Sequence, residues 1–301
     1  MGPAYEADKI GGWTMMPQMS GQTIESFEGG KFRVTTNEDG IRSTVRVEKG
    51  PGVTRIAVMG DSTVFGWGVD DGGTIADGLQ RGLDPLRGEL GPIEVLNAGQ
   101  PGYSTTQITA FFEGVVSKYK PDFLIVFLPQ HDHNFVAVSD REHLEGGRGL
   151  GAARVGLAKH SRIYQLLRAQ ISPLSEKGYV LPGEQHNDMR VPRVSDDERD
   201  ENMDRIAAAM GEWGGRLALG WLPSFADLER STPSRRMGEE WAGIYATEKR
   251  IPVIDLRACC GPGGQSLVLP YDKGHLNREG NLKAGAWGAS QVADWIRTQR
   301  R

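Results

Sequence analysis

The chain has 301 residues, of which 38% are apolar and 25% are charged, so its composition is typical of a folded globular protein and excludes a disordered chain. The formal net charge of −4 argues against a basic face for nucleic acid or anionic membranes, and we expect neither as a partner. The two cysteines, Cys259 and Cys260, are adjacent, which excludes a C-x-x-C motif and predicts free thiols.

No run of apolar residues reaches the length of a transmembrane helix, and the first twelve residues lack a basic segment followed by an apolar one. No signal peptide or membrane anchor is therefore visible, and we expect a soluble protein as the sequence stands. The compartment stays open between the cytoplasm and, if an anchor has been removed, the cell envelope. The oligomeric state stays open as well.

Residues 1–52 are rich in Gly, Ser, Thr and Glu and predict an amino-terminal extension that packs on the main domain, residues 53–301. Within the extension, alternating apolar and polar residues predict short, half-exposed strands at 31–35 and 44–47. The expected organisation is one large domain with a β extension.

From residue 53 onwards, apolar runs typical of buried strands alternate with segments of helical spacing. The predicted strands are 53–59, 93–96, 123–128, 217–222 and 253–256. The predicted helices are 74–83, 104–119 (with Ser104 as N-cap), 196–213, 241–249 and 281–298. This alternation predicts an α/β fold whose parallel sheet is covered on both faces, with ligands binding at the carboxyl ends of the strands.

Residues 133–195 interrupt the alternation and contain one predicted helical stretch, at 163–171. A segment of this length is best interpreted as an insertion or lid over the site.

Ser62 follows the first buried strand of the main domain, in the run Gly60-Asp61-Ser62. A serine at this point lies at the carboxyl edge of the sheet, where the start of a helix favours developing negative charge. Ser62 is therefore a candidate nucleophile, and the structural alternative is that it only caps the helix.

Asp272 and His275 stand in a predicted loop before the last helix. In a catalytic triad the His accepts the proton of the Ser, and the Asp fixes the tautomer of the His and stabilises its positive charge. On its own, His275 could equally be a surface helix cap.

Taken together, these segments resemble the blocks of the SGNH, or GDSL-type, hydrolase family. Gly60-Asp61-Ser62 resembles the first block. Asn97-Ala98-Gly99, followed by Pro101-Gly102-Tyr103-Ser104, resembles the second, and Asp272–His275 resembles the fifth, in the same order. The resemblance covers roughly residues 53–301. It implies a three-layer α/β/α sandwich with a central parallel five-stranded sheet (the flavodoxin-like SGNH fold), and an oxyanion hole formed by Ser62, Gly99 and His131.

His131 is a departure from that family, which has an Asn at the corresponding position of its third block. Here the strand is followed by Pro129-Gln130-His131-Asp132. An imidazole N–H can donate a hydrogen bond in place of the amide. The alternatives are drift towards a weak or inactive enzyme, or a metal site formed by His131 and His133, which no further ligand cluster supports.

The resemblance implies a serine ester hydrolase that forms an acyl-Ser62 intermediate and needs no cofactor or metal. The expected substrate is a small acyl ester, such as an acetyl ester, of a carbohydrate or lipid-like molecule. Two alternatives remain: an O-acyltransferase using the same triad, and a binding or scaffold protein that retains the fold. Candidate pocket residues are Asp61, Tyr103, Asp132 and Asn134.

Overall fold

At the centre of the fold, a parallel β-sheet lies between two layers of helices. The computed structural model describes residues 5–6, 12–26, 29–136, 139–146, 191–223, 239–261 and 264–300. The described strands are β1 (Tyr5–Glu6), β2 (Thr14–Met15), β3 (Gln22–Glu25), β4 (Lys31–Val34), β5 (Thr54–Met59), β6 (Ile93–Asn97), β7 (Phe123–Phe127), β8 (Phe135–Val136), β9 (Val191–Pro192), β10 (Arg216–Trp221), β11 (Val253–Asp255), β12 (Val268–Leu269) and β13 (Asp272–Leu276). The described α-helices are α1 (Ser62–Phe65), α2 (Ile75–Leu83), α3 (Arg87–Leu90), α4 (Thr105–Gly114), α5 (Asp140–Gly146), α6 (Asp196–Gly211), α7 (Glu239–Lys249) and α8 (Arg278–Gln299).

The central sheet has the strand order β11-β10-β7-β5-β6, and all neighbouring pairs are parallel. If the five strands are numbered along the chain, this order reads 2-1-3-4-5, which is the flavodoxin-like arrangement. The direction of winding reverses between β5 and β7, with β6 on the outer side of β5. The predicted three-layer α/β fold with five parallel strands is confirmed.

The two faces of the sheet are buried by different helices, because successive side chains of a strand point to opposite sides. In β5, Ile56 and Val58 belong to the apolar cluster that includes residues of α2 and α8. Ala57 and Met59 belong to the cluster on the other face, with residues of α4, α6 and α7. Burial on both faces explains why β5 and β7 are continuous apolar runs rather than alternating ones.

The predicted strand at 44–47 is wrong. The backbone carbonyls of this segment accept hydrogen bonds from a side chain rather than from another strand. The carbonyls of Arg46 and Val47 accept from the guanidinium of Arg55, at 2.8 and 2.9 Å. The amide of Val45 donates to the hydroxyl of Ser43 at 3.2 Å. The residue types do alternate, but within the described parts of the chain no strand pairs with this segment.

The predicted helix at 104–119 begins as expected but is shorter. Ser104 is its N-cap and forms a capping box with Gln107. The α-helix ends at Gly114, and the chain continues as a 3₁₀ turn over Val116–Tyr119. A glycine followed by two β-branched valines disfavours a further α-helical turn at this point.

The two ends of the predicted insertion lie side by side. β8 and β9 pair antiparallel, with Phe135 opposite Pro192. Arg193 forms an ion pair with Asp140 at 2.7 Å. The predicted helix at 163–171 lies outside the described residues. Within the described ranges, none of the helices is long and apolar enough to cross a membrane.

Candidate active site

Ser62 is the first residue of α1, immediately beyond the carboxyl end of β5. Asp61 is the N-cap of this helix, and its carboxylate accepts a hydrogen bond from the amide of Thr63 at 2.9 Å. The alternative interpretation of Ser62 as a cap is therefore wrong, because Asp61 has that role. The hydroxyl of Ser62 is left for a different partner.

That partner is His275. The Oγ of Ser62 lies 2.7 Å from the Nε2 of His275, although the two residues are 213 positions apart in sequence. The Nδ1 of His275 is hydrogen-bonded to a carboxylate oxygen of Asp272. The structure thus brings the three predicted residues into the Ser–His–Asp arrangement in which a histidine removes the proton of the serine.

The Asp272–His275 pair lies on a strand, so the prediction of a loop is wrong. Residues at positions i and i+3 of a regular strand point to opposite faces. Here β13 is irregular: Val268 pairs with Leu276, whereas the next residue, Leu269, already pairs with Asp272. The extra residues form a bulge that lets both side chains meet.

The surroundings of the bulge hold Asp272 in place. The amide of Gly274 donates to the second carboxylate oxygen of Asp272 at 2.7 Å. Directly after the strand, Asn277 caps α8 and its side-chain amide donates to the carbonyls of Ser266 and Val268. The sequence analysis missed Asn277, and the signal that could have found it is an Asn at the start of a long helix.

The prediction of Gly99 as an oxyanion donor is contradicted by the direction of its amide. The Gly99 N–H donates to the side chain of Asn97 at 3.1 Å. Gly99 instead serves packing, because a Cβ at this position would lie 2.3 Å from the backbone nitrogen of Phe65 in α1. Its lack of a side chain allows the end of β6 to approach the nucleophile helix.

Gly102 offers the amide that Gly99 does not. Between Ala98 and Thr105, it is the one backbone N–H for which the described part of the chain provides no acceptor. The amide of Ser62, at the first position of α1, also has no acceptor there. The sequence analysis placed Gly102 in the second block but assigned the donor to Gly99. The signal for Gly102 was the Pro-Gly turn after β6, where its φ is +78°.

His131 lies beside the turn that contains Asp61 and Ser62 (the nucleophile turn). Its Nε2 is 3.8 Å from a carboxylate oxygen of Asp61, the residue that precedes Ser62. The side-chain amide of Asn134 donates to the Nδ1 of His131 at 3.4 Å. An Nδ1 that accepts a hydrogen bond leaves the proton of the neutral ring on Nε2, the nitrogen that faces the turn.

The prediction of Asp132 as a pocket residue is wrong. The side chain of Asp132 is 1% exposed and forms an ion pair with Arg199 of α6 at 3.0 Å. Thr105 donates to its two carboxylate oxygens from the backbone and from the hydroxyl, each at 2.8 Å. Burial raises the pKa of Asp132, while Arg199 and these hydrogen bonds act in the opposite direction. Asp132 orders the loop after β7, as its hydrogen bonds show.

Tyr103 is also not a pocket residue. It is fully buried, its hydroxyl donates at 2.5 Å to the carbonyl of Trp13, and its ring lies edge-on to Trp13 and Phe111. Its burial follows from the extension, which covers this turn. Among the residues that the structure describes, no group of three or more His, Cys, Asp or Glu side chains is placed to hold a metal ion.

No protein-family model and no curated protein matches the chain. Similar solved structures include an acetylxylan esterase, Axe2, from Geobacillus stearothermophilus (16% identity, TM-score 0.45, covering 81% of this chain and 94% of that one). They also include a lipase/acylhydrolase from Enterococcus faecalis (15% identity, TM-score 0.46, covering 80% and 96%). An esterase, EstA, from Pseudoalteromonas sp. has 12% identity and a TM-score of 0.47, covering 81% and 99%. These sequence identities and TM-scores indicate a distant likeness. Any inference about the function of this chain therefore rests on the geometry of its own site.

Proposed function

We propose that this protein is a serine ester hydrolase of the SGNH type, with Ser62 as nucleophile, His275 as general base and acid, and Asp272 as the residue that orients His275. The observation that carries the proposal is the distance of 2.7 Å between the Oγ of Ser62 and the Nε2 of His275. His275 in turn has Asp272 on its other nitrogen.

In the first half of the reaction, the Oγ of Ser62 attacks the carbonyl carbon of the ester while its proton passes to the Nε2 of His275. The carbonyl π electrons move to the oxygen, which becomes an oxyanion. When the intermediate collapses, the bond to the alcohol breaks, and the alcohol leaves with the proton from His275. The product that stays on the enzyme is an acyl ester of Ser62.

In the second half, water takes the place of the alcohol. His275 accepts a proton from the water as it attacks the acyl carbon, and then returns that proton to the Oγ of Ser62 as the acid leaves. Asp272 stays ionised and stabilises the imidazolium in both halves.

The oxyanion needs hydrogen-bond donors that are in place before charge develops. The backbone amides of Ser62 and Gly102 lie at these two turns, and neither has an acceptor among the described residues. The Nε2–H of His131, beside the same turn, is the third donor that we propose. Together they replace the set predicted from sequence, with Gly102 in place of Gly99.

A small acyl ester, such as an acetyl ester of a carbohydrate or lipid-like alcohol, is the substrate class that we propose. Its support is the resemblance of the motifs around Ser62, Gly99 and His275 to the SGNH family.

The first test is hydrolysis of p-nitrophenyl acetate, butyrate and octanoate by the wild type, Ser62→Ala and Ser290→Ala. Ser290 is an exposed serine on α8 and serves as the matched control. We expect Ser62→Ala to lower kcat by about 10⁴-fold or more, since the nucleophile is removed. Ser290→Ala should leave kcat unchanged, and acetate should be the best substrate.

Labelling with a fluorophosphonate, followed by peptide mass spectrometry, checks the nucleophile independently of turnover. The adduct is expected on the peptide containing Ser62. Equal turnover by the wild type and Ser62→Ala on every ester would refute simple hydrolysis. Transfer of the acyl group to an added sugar in preference to water would replace hydrolase by O-acyltransferase.

A further inference from the structure

The guanidinium of Arg42, in the amino-terminal extension, lies directly behind the helix that carries Ser62. Its side chain is 3% exposed. One terminal nitrogen donates to the carbonyls of Phe65 and Gly66, at 3.1 and 2.8 Å. The other donates to the carbonyl of Val69 at 2.7 Å. Arg42 therefore binds the carboxyl end of α1 and the loop that follows it.

This contact bears on the nucleophile because α1 is a single turn of four residues. A helix of that length has no stability of its own, so its position is set by tertiary contacts. The carbonyl of Ser62 accepts hydrogen bonds from the amides of Gly66 and Trp67 within the same turn, at 3.0 and 2.9 Å. A shift of the peptide groups held by Arg42 is thus passed directly to Ser62.

Arg42 is itself held in a fixed orientation. The carboxylate of Asp71 accepts hydrogen bonds from its Nε and from one terminal nitrogen, at 3.2 and 3.1 Å. Its guanidinium carbon also lies 5.0 Å from the centre of the Phe65 ring. A planar group fixed at these points holds the carbonyls in a defined geometry, which the compact ammonium of a lysine does not reproduce.

The extension contacts the other half of the triad as well. A Cβ on Gly30 would lie 2.1 Å from the ring of Tyr271, the residue before Asp272, so this ring rests against the hairpin β3–β4. The turn that contains Gly102 is bound too: the amide of Met15 donates to the side chain of Gln100 at 3.1 Å.

We infer that Arg42 is a positioning residue for the Ser62 nucleophile, and that through it the amino-terminal extension is part of the catalytic framework. The inference rests on the proposed ester hydrolysis. The hydrogen bonds from Arg42 to the carbonyls of Phe65, Gly66 and Val69 set the distance between the Oγ of Ser62 and the Nε2 of His275.

The chain offers a matched control in Arg55, which is fully buried at the opposite, amino end of β5. Like Arg42, it binds backbone carbonyls, those of Arg46, Val47 and Tyr119, and it pairs with one carboxylate, that of Glu94. If the two arginines contributed only packing, substitution of either one would have the same effect on kcat. Only a positioning role distinguishes them.

The test compares Arg42→Lys with Arg55→Lys in the full chain, with rates normalised to the folded fraction from circular dichroism. We expect Arg42→Lys to lower kcat for p-nitrophenyl acetate by about 10- to 100-fold, with KM changed by less than about threefold. Phosphonylation by a fluorophosphonate should slow by the same factor as kcat. Arg55→Lys should lower the Tm but retain the wild-type kcat and labelling rate.

If Arg42→Lys does not fold, the pair Asp71→Asn and Glu94→Gln replaces it, because each neutralises the carboxylate partner of one arginine and keeps the size of the side chain. Asp71→Asn should then lower kcat and Glu94→Gln should not. Equal effects of the two members of either pair on kcat would overturn the inference and leave the hydrolase standing. Absence of turnover and labelling that depend on Ser62 in the wild type would overturn both.

Discussion

At the scale of single residues, the site differs from a generic triad mainly at His131. Asn134 donates to its Nδ1, and its Nε2 faces the turn between Asp61 and Ser62. A neutral imidazole in this tautomer supplies one N–H donor, which is what the side-chain amide of an Asn would supply at the same place. We therefore propose that His131 supplies the side-chain donor of the oxyanion hole.

Substitutions of His131 test this directly. His131→Ala removes the donor and is expected to lower kcat by about 10²–10³-fold, whereas His131→Asn restores an N–H and should recover most of the loss. The measurement is kcat on p-nitrophenyl acetate, with His143→Ala as control because His143 is exposed on α5. A His131→Ala variant with the kcat of the wild type would show that His131 is not a donor.

Gly99 makes a second prediction at this scale. In Gly99→Ala the new methyl group would meet backbone atoms of Phe65, which cannot move aside as a flexible side chain could. We expect a loss of about 1–3 kcal/mol in the free energy of unfolding, measured by urea denaturation, together with lower kcat because α1 is displaced. Gly88→Ala, in α3, meets no atom within 4 Å and should be neutral or stabilising by up to about 1 kcal/mol. Equal stability of the two variants would contradict this role of Gly99.

The sequence was sufficient to predict that Ser62, Asp272 and His275 belong together, but not which contacts their neighbours make. Ser62, Asp272 and His275 follow from motifs whose order along the chain is visible without a structure. The burial of Tyr103 and Asp132 depends on Trp13 and Arg199, which lie 90 and 67 positions away in sequence. A single sequence carries no signal for such pairings.

At the scale of elements, the three inner strands of the central sheet, β5, β7 and β10, were predictable because they are buried on both faces and contain apolar runs. The bulge in β13 and the missing strand at 44–47 were not predictable. The bulge is visible only in the pairing of β12 with β13, and residues 44–47 are held by the side chain of Arg55 rather than by a ladder. Both are consequences of tertiary contacts.

The junction of α4 with α6 carries a buried carboxyl group, and we expect it to make the free energy of unfolding depend on pH. Glu198 is 6% exposed and accepts a hydrogen bond from the hydroxyl of Thr106. Burial raises its pKa, with a smaller contribution from Asp140 and Asp132, and this outweighs the opposing effect of Thr106 and Arg141. The folded state therefore holds the proton more tightly than the unfolded state does, and the stability from Glu198 is lost as the pH rises through its pKa in the folded protein.

Glu198→Gln removes this titration and keeps an acceptor for Thr106. Relative to the wild type, the variant should gain free energy of unfolding as the pH rises above about 4.3, the ordinary pKa of a glutamate. Urea denaturation at pH 4.5, 6 and 8 measures the difference between the two proteins. Glu201→Gln is the control, since the side chain of Glu201 is 61% exposed. A difference that does not change with pH would exclude Glu198 as the titrating group.

At the scale of the whole molecule, the amino-terminal extension and the main domain share one apolar cluster. Met15, Phe32 and Val34 of the extension pack with Phe65 and Trp67, which follow the nucleophile in sequence. The sequence predicted a boundary near residue 52 from a change of composition, and that boundary stays a prediction. The structure shows that the apolar core around the nucleophile turn contains residues from both sides of residue 52.

Phe32→Ala tests whether the two parts unfold together. Phe32 is 2% exposed, and its ring lies edge-on to Trp67 with 5.1 Å between ring centres. Truncation should cost about 3–5 kcal/mol, because it leaves a cavity between the extension and the nucleophile turn. If the cluster couples the two parts, urea denaturation followed by circular dichroism and by residual activity will give one coincident transition at lower urea. An extension that unfolds separately would instead give an early, small transition and leave the main midpoint unchanged.

The control is Phe135→Ala, at a phenylalanine that is 57% exposed, which should leave the urea midpoint where it is in the wild type. Coincident transitions would mean that the stability of the extension is also the stability of the turn that presents Ser62.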